Sequence, residues 1–149
     1  MDSLTYNITE TLKLLVIIAS EPEKQIEAMG IGNTEEEIAI DFESHFKWNE
    51  AAFIENGLIS EAQALKLSEI DSFFEIRSGD EFKNYQDFWV GIDSHKDWLV
   101  LRKMAKRCLA ILDKANLGII VETKNTVSKT SGKNIVSQNI MINLISNDT

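Results

Sequence analysis

Few side chains in this chain of 149 residues are of the kind that carry chemistry, and their spacing is informative. Asp41 and His45 stand four apart, so on a helix they share a face and could ligate one metal together. No second histidine lies near, and the Glu-x-x-His pair of helical di-metal sites is absent. The expectation is a half-buried His45 bonded to Asp41. His95 lies between Asp93 and Asp97, at the expected start of a helix. The helix dipole disfavours a charged imidazole there, so a solvated first-turn residue is expected. Cys108 falls among apolar residues, whereas a nucleophilic thiol needs an accessible site that stabilises thiolate. It should behave as a small core side chain. Gly118-Ile119-Ile120-Val121-Glu122-Thr123-Lys124, with Asp113 upstream, has the strand and Glu-x-Lys ending of a metal-dependent nuclease motif. That chemistry needs carboxylates at adjacent strand ends around Mg²⁺. Here Asp113 closes a helix, and no earlier strand is expected. No glycine-rich phosphate loop, Gly-x-Ser-x-Gly elbow or spaced Cys/His cluster occurs. The sequence thus gives no catalytic residue, no metal site and no cofactor.

The elements that would position these residues are mostly helices. One proline and seven glycines leave few breakers. Four capping-box patterns mark helix starts: Ser20-Glu21-Pro22-Glu23, Thr34-Glu35-Glu36-Glu37, Ser60-Glu61-Ala62-Gln63 and Ser94-His95-Lys96-Asp97. Gly30, Gly57, Gly79 and Asn116-Leu117-Gly118 mark stops. These signals predict helices over about 4–19, 21–29, 35–47, 48–56, 61–78 and 94–115. The second half of the first is apolar all round, which predicts a central, buried position. In 35–47 the stripe is Ile38, Ala39, Phe42 and Phe46; in 61–78, with the residues just before it, Ile59, Ala62, Ile70, Phe73 and Ile76 share a face. In the last helix Trp98, Val100, Leu101, Met104, Ala105, Cys108, Leu109, Ile111 and Leu112 fill one half of the wheel. Arg102, Lys103, Lys106, Arg107 and Lys114 fill the other. Residues 119–149 turn to Ile, Val, Thr, Ser and Asn around a polar Ser128–Lys133 turn, which predicts a β-hairpin. The expected fold is mainly α. A compact bundle of five to six helices (1–118) carries a C-terminal tail (119–149), a hairpin packed on the body or extending from it.

Charge is regional. The first sixty residues hold twelve acids and three bases, a net of −9 that equals the whole chain's. Such a field selects basic partners and argues against direct nucleic-acid binding, which needs clustered Lys and Arg. The basic face of the last helix could take phosphates, or match acids on neighbouring helices through surface pairs of ~0–1 kcal/mol each. The apolar run Leu14–Ala19 is far short of the ~20 residues of a spanning helix. One cysteine excludes an intrachain disulfide framework. A soluble, cytoplasmic protein without membrane contact is expected. Helix-start chemistry accounts for Glu21, Glu23, Glu35 and Glu37 and bears on Glu36. The candidate partner-binding residues are Glu36, Asp41, Glu43, Glu50 and Glu55. Trp89 joins them because a tryptophan in a glycine-flanked connection sits at a core edge or an interface; Trp48 lies at a similar helix end.

The acidic block Glu35–Glu43, the helical body without a catalytic signature and the segment Trp98-Leu99-Val100-Leu101-Arg102-Lys103-Met104-Ala105 resemble the small acidic immunity proteins of bacterial contact-dependent and polymorphic toxin systems. The likeness is one of layout over residues 4–115. It implies a non-enzymatic module that neutralises a cognate toxin, often a basic nuclease domain, through its acidic surface. The alternative is a structural or adaptor module that oligomerises or binds a partner through its C-terminal strands.

Overall fold

A computed structural model describes residues 2–147. Among these the chain forms six α-helices and one two-stranded antiparallel sheet. The helices are α1 (Ser3–Ala19), α2 (Pro22–Met29), α3 (Thr34–His45), α4 (Glu50–Glu55), α5 (Glu61–Ile76) and α6 (Lys96–Ile111). The strands are β1 (Leu117–Thr130) and β2 (Lys133–Ser146). Short 3-10 turns occupy Lys47–Asn49, Gly79–Tyr85 and Phe88–Val90. The fold is mainly α with a C-terminal hairpin, as the sequence pattern predicts. No described helix is long and apolar enough to cross a membrane.

The core is built on α1. Leu14, Leu15, Val16, Ile17 and Ile18 are all buried, and α1 lies against α6, α3 and β1. Burying a helix end creates a debt of unpaired carbonyls. Here each is met. The Ser20 hydroxyl donates to Val16 O at 2.6 Å, and the Ser20 N–H to Ile17 O at 3.0 Å. Gln25 Nε2 donates to Ile18 O at 3.0 Å, and Arg102 Nε donates to Ser20 O at 2.8 Å. Arg102 is therefore buried and does not belong to a solvated basic face. Its other partner is Glu21, at 3.9 Å.

Two helical stripes lie rotated from their expected positions. On α6 the buried residues are Trp98, Leu101, Arg102, Ala105, Cys108 and Leu109, while Val100 and Ile111 are exposed. The apolar half of that wheel is wider than one neighbouring helix can cover. The side that wins is the one that carries Arg102 to the end of α1. On α5 the buried stripe is Ala64, Leu67, Ile70, Asp71 and Phe74, while Ala62 and Ile76 are exposed. Phe74 turns inward to join Phe88, Trp89 and Trp98, with ring centroids 6.4, 6.2 and 5.9 Å away. Phe88 and Trp98 stack at 5.0 Å, and Trp98 Nε1 donates to Phe88 O. This aromatic packing holds the 79–90 connection, which is 3-10 rather than α-helical.

Only one of the four capping boxes forms. Ser60 Oγ accepts from the Gln63 N–H, and Gln63 Oε1 accepts from the Ser60 N–H. At α3 the cap is Asn33, one residue earlier than expected, accepting from the Glu36 N–H. At α2 the Ser20 hydroxyl turns back to Val16, and Pro22 at the first helical position lacks an N–H to satisfy. At α6 the cap is His95, whose Nδ1 accepts from the Asp97 N–H at 3.0 Å. His95 is thus half-buried and structural, not a solvated first-turn residue. α6 also ends earlier than predicted. Asp113 takes a left-handed φ of 57°, and the Lys114 N–H returns to Leu109 O while that of Asp113 returns to Ala110 O. This is a Schellman closure with aspartate in the usual glycine position.

The hairpin is longer than expected, with fourteen residues in each strand. Ser131 and Gly132, with φ of 55° and 76°, form its two-residue turn, and positive φ at both positions suits the twist of the strands. Ile119, Val121, Ile142 and Leu144 share one face and pack on the core. Gln138 Oε1 accepts from the Ile31 N–H at 2.7 Å, clamping β2 to the α2–α3 connection. Gly30, at φ 75°, lies under Ile140 and Gln138, where a Cβ would collide with both side chains.

The satisfied end of α1 makes a testable demand on Arg102. Arg102→Ala removes the donor to Ser20 O and the packed stem, and should destabilise the fold by about 2 kcal/mol. Lys103→Ala, at an exposed position beside it, should leave stability unchanged. Urea denaturation of both variants measures the difference.

Candidate functional site

Two helices set out a surface cleft. Glu36, Ala39, Ile40 and Glu43 recur at helical spacing on one side of α3. Asp71, Phe74, Glu75 and Ser78 do the same on α5 and just beyond it. Phe82 and Trp89, from the connection after α5, close the floor of a cleft of about 310 Å³. The Trp89 indole lies between the Phe74 and Phe82 rings, at 6.2 and 6.0 Å, and donates its N–H to Arg77 O at 2.7 Å. It is 3% exposed, so it is a floor residue rather than a projecting anchor. The projecting tryptophan is Trp48, 71% exposed on the 3-10 turn after α3.

Arg77 holds that floor in place. Its guanidinium lies 3.6 Å above the Phe73 ring and donates through Nη1 to Phe73 O at 2.8 Å. Nε and Nη2 both reach Asp97 Oδ2 at 3.2 Å, tying α5 to the start of α6. Sequence reasoning missed this residue. An arginine at a helix end followed by Ser and Gly carries no signal distinguishing it from a solvated one.

The rim of the cleft is acidic. Glu36, Glu43, Asp71 and Glu75 line it, and one base, Lys47, lies 3.5 Å from Asp71 and 3.4 Å from Glu75 and also feels Glu43. Burial pushes the Asp71 carboxyl above its ordinary value, against the pull of Lys47. Asp71 in turn holds the Lys47 ammonium above its usual range. Among the described residues Glu36 and Glu43 make no side-chain ion pair. The arrangement offers an aromatic floor for an aliphatic stem and carboxylates for a cationic head.

The remaining candidates lie elsewhere. Asp41 points away from the cleft, into a depression shared with Glu10, Glu37, His45 and the hairpin residues Ile140 and Ile142. Burial raises its carboxyl above the usual range, and the same holds for Glu37, with Asp41 adding to the effect. His45 is not hydrogen-bonded to Asp41. Its Nδ1 lies 2.8 Å from Asn7 Oδ1. The Asn7 amide nitrogen donates to Ser3 O, which leaves Oδ1 as the acceptor and makes Nδ1 the donor. Glu50 accepts from the Ser68 hydroxyl at 2.7 Å, and Glu55 is exposed at the end of α4. Glu36, Glu43 and Trp89 therefore share one surface, and Asp41, Glu50 and Glu55 do not line it.

Cys108 is buried, and desolvation pushes its thiol up to about 11, with Glu69 adding to the shift. The Glu122-x-Lys124 pair is exposed on β1, whose only neighbouring strand among the described residues, β2, carries no acid. Among the described residues no three His, Cys, Asp or Glu side chains are grouped to hold a metal ion. No protein-family model matches the chain, and no curated protein or solved structure matches it significantly.

The raised carboxyls have a definite pH signature. Glu37, Asp41 and Asp71 hold protons more tightly in the folded chain than in the unfolded one. Their contribution favours folding at acid pH and is lost as the pH rises through and above the ordinary carboxylate range. Asp41→Asn should raise the urea midpoint at neutral pH and flatten its decline between mildly acidic and neutral conditions. A lower midpoint at neutral pH would show that attraction to His45 outweighs burial.

Proposed function

We propose that this chain is a non-enzymatic protein-binding module, of the immunity-protein kind, that acts in the cytoplasm. It takes a basic partner through the cleft between α3 and α5. The observation that supports this is the pairing of an aromatic floor (Phe74, Phe82, Trp89) with a rim of Glu36, Glu43, Asp71 and Glu75. An arginine or lysine from the partner would lay its stem on the rings and its charge among the carboxylates. Lys47 already does part of this from within the chain, between Asp71 and Glu75. Glu36 and Glu43, the latter sensed by Lys47 but paired with no base, would meet a cation from outside. A basic toxin domain, a nuclease above all, fits this chemistry, because a positive cleft that takes nucleic acid also attracts carboxylates. The overall −9 charge would speed the encounter, and the cleft would fix the register.

Binding of a short oligo-arginine peptide tests the surface. The double reversal Glu36→Lys/Glu43→Lys should weaken it by about tenfold or more at low salt. The reversal Glu23→Lys/Glu55→Lys, with the same net charge but away from the cleft, should change it much less. Equal losses from the two would reduce the interaction to general charge and overturn the cleft. For the immunity reading, co-expression with a basic toxin encoded beside this chain should restore growth, and the Glu36/Glu43 reversal should abolish the protection.

A further inference from the structure

The hairpin poses a separate problem from the cleft. A lone two-stranded ribbon is marginal in water. Its base is held by the core, yet every β1 residue from 122 to 130 is exposed. Val127 and Val136, paired on the core-side face, are 65% and 56% exposed, and Ile135 on the other face is 47% exposed. Among the described residues β1 pairs with β2 alone, so beyond Leu117, whose N–H donates to Lys114 O, its outer edge offers unused backbone donors and acceptors.

The charges on that edge are self-complementary. β1 carries Glu122, Lys124 and Lys129. Glu122 and Lys124 share the face turned away from the body, since they alternate with the core-facing Val121 and Thr123. Two copies of β1 placed antiparallel about a two-fold axis must pair residues of the same face, so their register can slip only in steps of two. Centred on Thr123, Glu122 of each copy lies opposite Lys124 of the other. Lys129 then faces Leu117, and Val127 faces Ile119. A slip of one step puts Glu122 opposite Glu122, and a slip the other way puts Lys124 opposite Lys124. Like charges directly opposite are unfavourable, so both neighbouring registers are penalised.

We infer that β1 is a self-association edge: two copies of this chain join through it, centred on Thr123, into a four-stranded antiparallel sheet ordered β2–β1–β1–β2. Glu122 and Lys124 form two symmetric cross-strand ion pairs that fix the register. The surface is independent of the α3–α5 cleft, so either can fail without the other. Within each hairpin Glu122 faces Met141 and Lys124 faces Asn139, so exchanging the two charges disturbs no pair inside one chain.

Sedimentation equilibrium on the full chain should show a dimer that gains population with concentration. Glu122→Lys alone and Lys124→Glu alone should each weaken it by about tenfold, because both ion pairs become repulsive. The combined exchange should restore it. Thr123→Cys, opposite itself across the axis, should give a disulfide-linked dimer on mild oxidation, while Ser128→Cys should not. The buried Cys108 thiol contributes little background. A chain that stays monomeric at every concentration overturns the proposal. So does a combined exchange no better than either single reversal, or Thr123→Cys that cross-links no faster than Ser128→Cys.

Discussion

The arrangement depends on one constraint: the C-terminal half of α1 is dry, and a dry helix end must still satisfy its carbonyls. Burying Leu14, Leu15, Val16, Ile17 and Ile18 supplies roughly 1.5–3 kcal/mol for each side chain. That gain is kept only if Val16, Ile17, Ile18 and Ser20 find donors, because a buried unpaired acceptor costs about 1–3 kcal/mol. The donors come from three elements: Ser20 locally, Gln25 from α2 and Arg102 from α6. Positions of α2 and α6 around α1 are therefore set by hydrogen bonds as well as by apolar contact. The face of α6 that turns inward follows from this, and so does the exposure of Val100 and Ile111.

The cleft is a consequence at one remove. With α6 placed, Trp98 stacks on Phe88 and draws the 79–90 connection across the end of α5. Phe74 and Trp89 meet there, and Arg77 locks the layer by lying on Phe73 while gripping Asp97. α3 brings Glu36 and Glu43 to the far wall. The polar edges of the apolar floor are hydrogen-bonded within the fold: the Trp89 indole to Arg77 O, the Trp98 indole to Phe88 O. A preformed floor loses little entropy when a side chain is laid on it.

Much of this was legible in the sequence and some was not, for physical reasons. Helix number, the centrality of α1 and the hairpin followed from periodicity and from the β-branched tail. Cap positions did not, since Ser or Thr followed three residues later by Glu also describes residues already inside a helix. Asn33 and His95 each took a role expected of a neighbour. The acidic candidates show the same limit. Asp41 and Glu43 are two residues apart, and a helix turns them to opposite sides; one reaches the depression under the hairpin and the other the cleft. Asp71 and Glu75 complete the rim from α5 but stand more than thirty residues from Glu36 in the chain. No local pattern could have joined them.

The acids of this chain consequently serve separate ends. Glu23 and Glu35 lie in first turns, where the helix dipole favours an acid, and Glu35 further accepts from the Ile92 N–H inside the fold. Asp97 and Arg77 form an internal tie. What is left at the cleft is Glu36 and Glu43 beside a Lys47–Asp71–Glu75 group that is already partly neutralised. On the proposed reading, a basic partner would sense the −9 field at a distance and meet Glu36 and Glu43, which form no ion pair, at the cleft. On that reading specificity would come from the aromatic floor, because long-range attraction cannot distinguish one basic protein from another. A partner that matches only the charge would bind weakly and lose its hold in salt. One whose arginine or lysine stem also fits against Phe74, Phe82 and Trp89 would keep part of its affinity when the charges are screened.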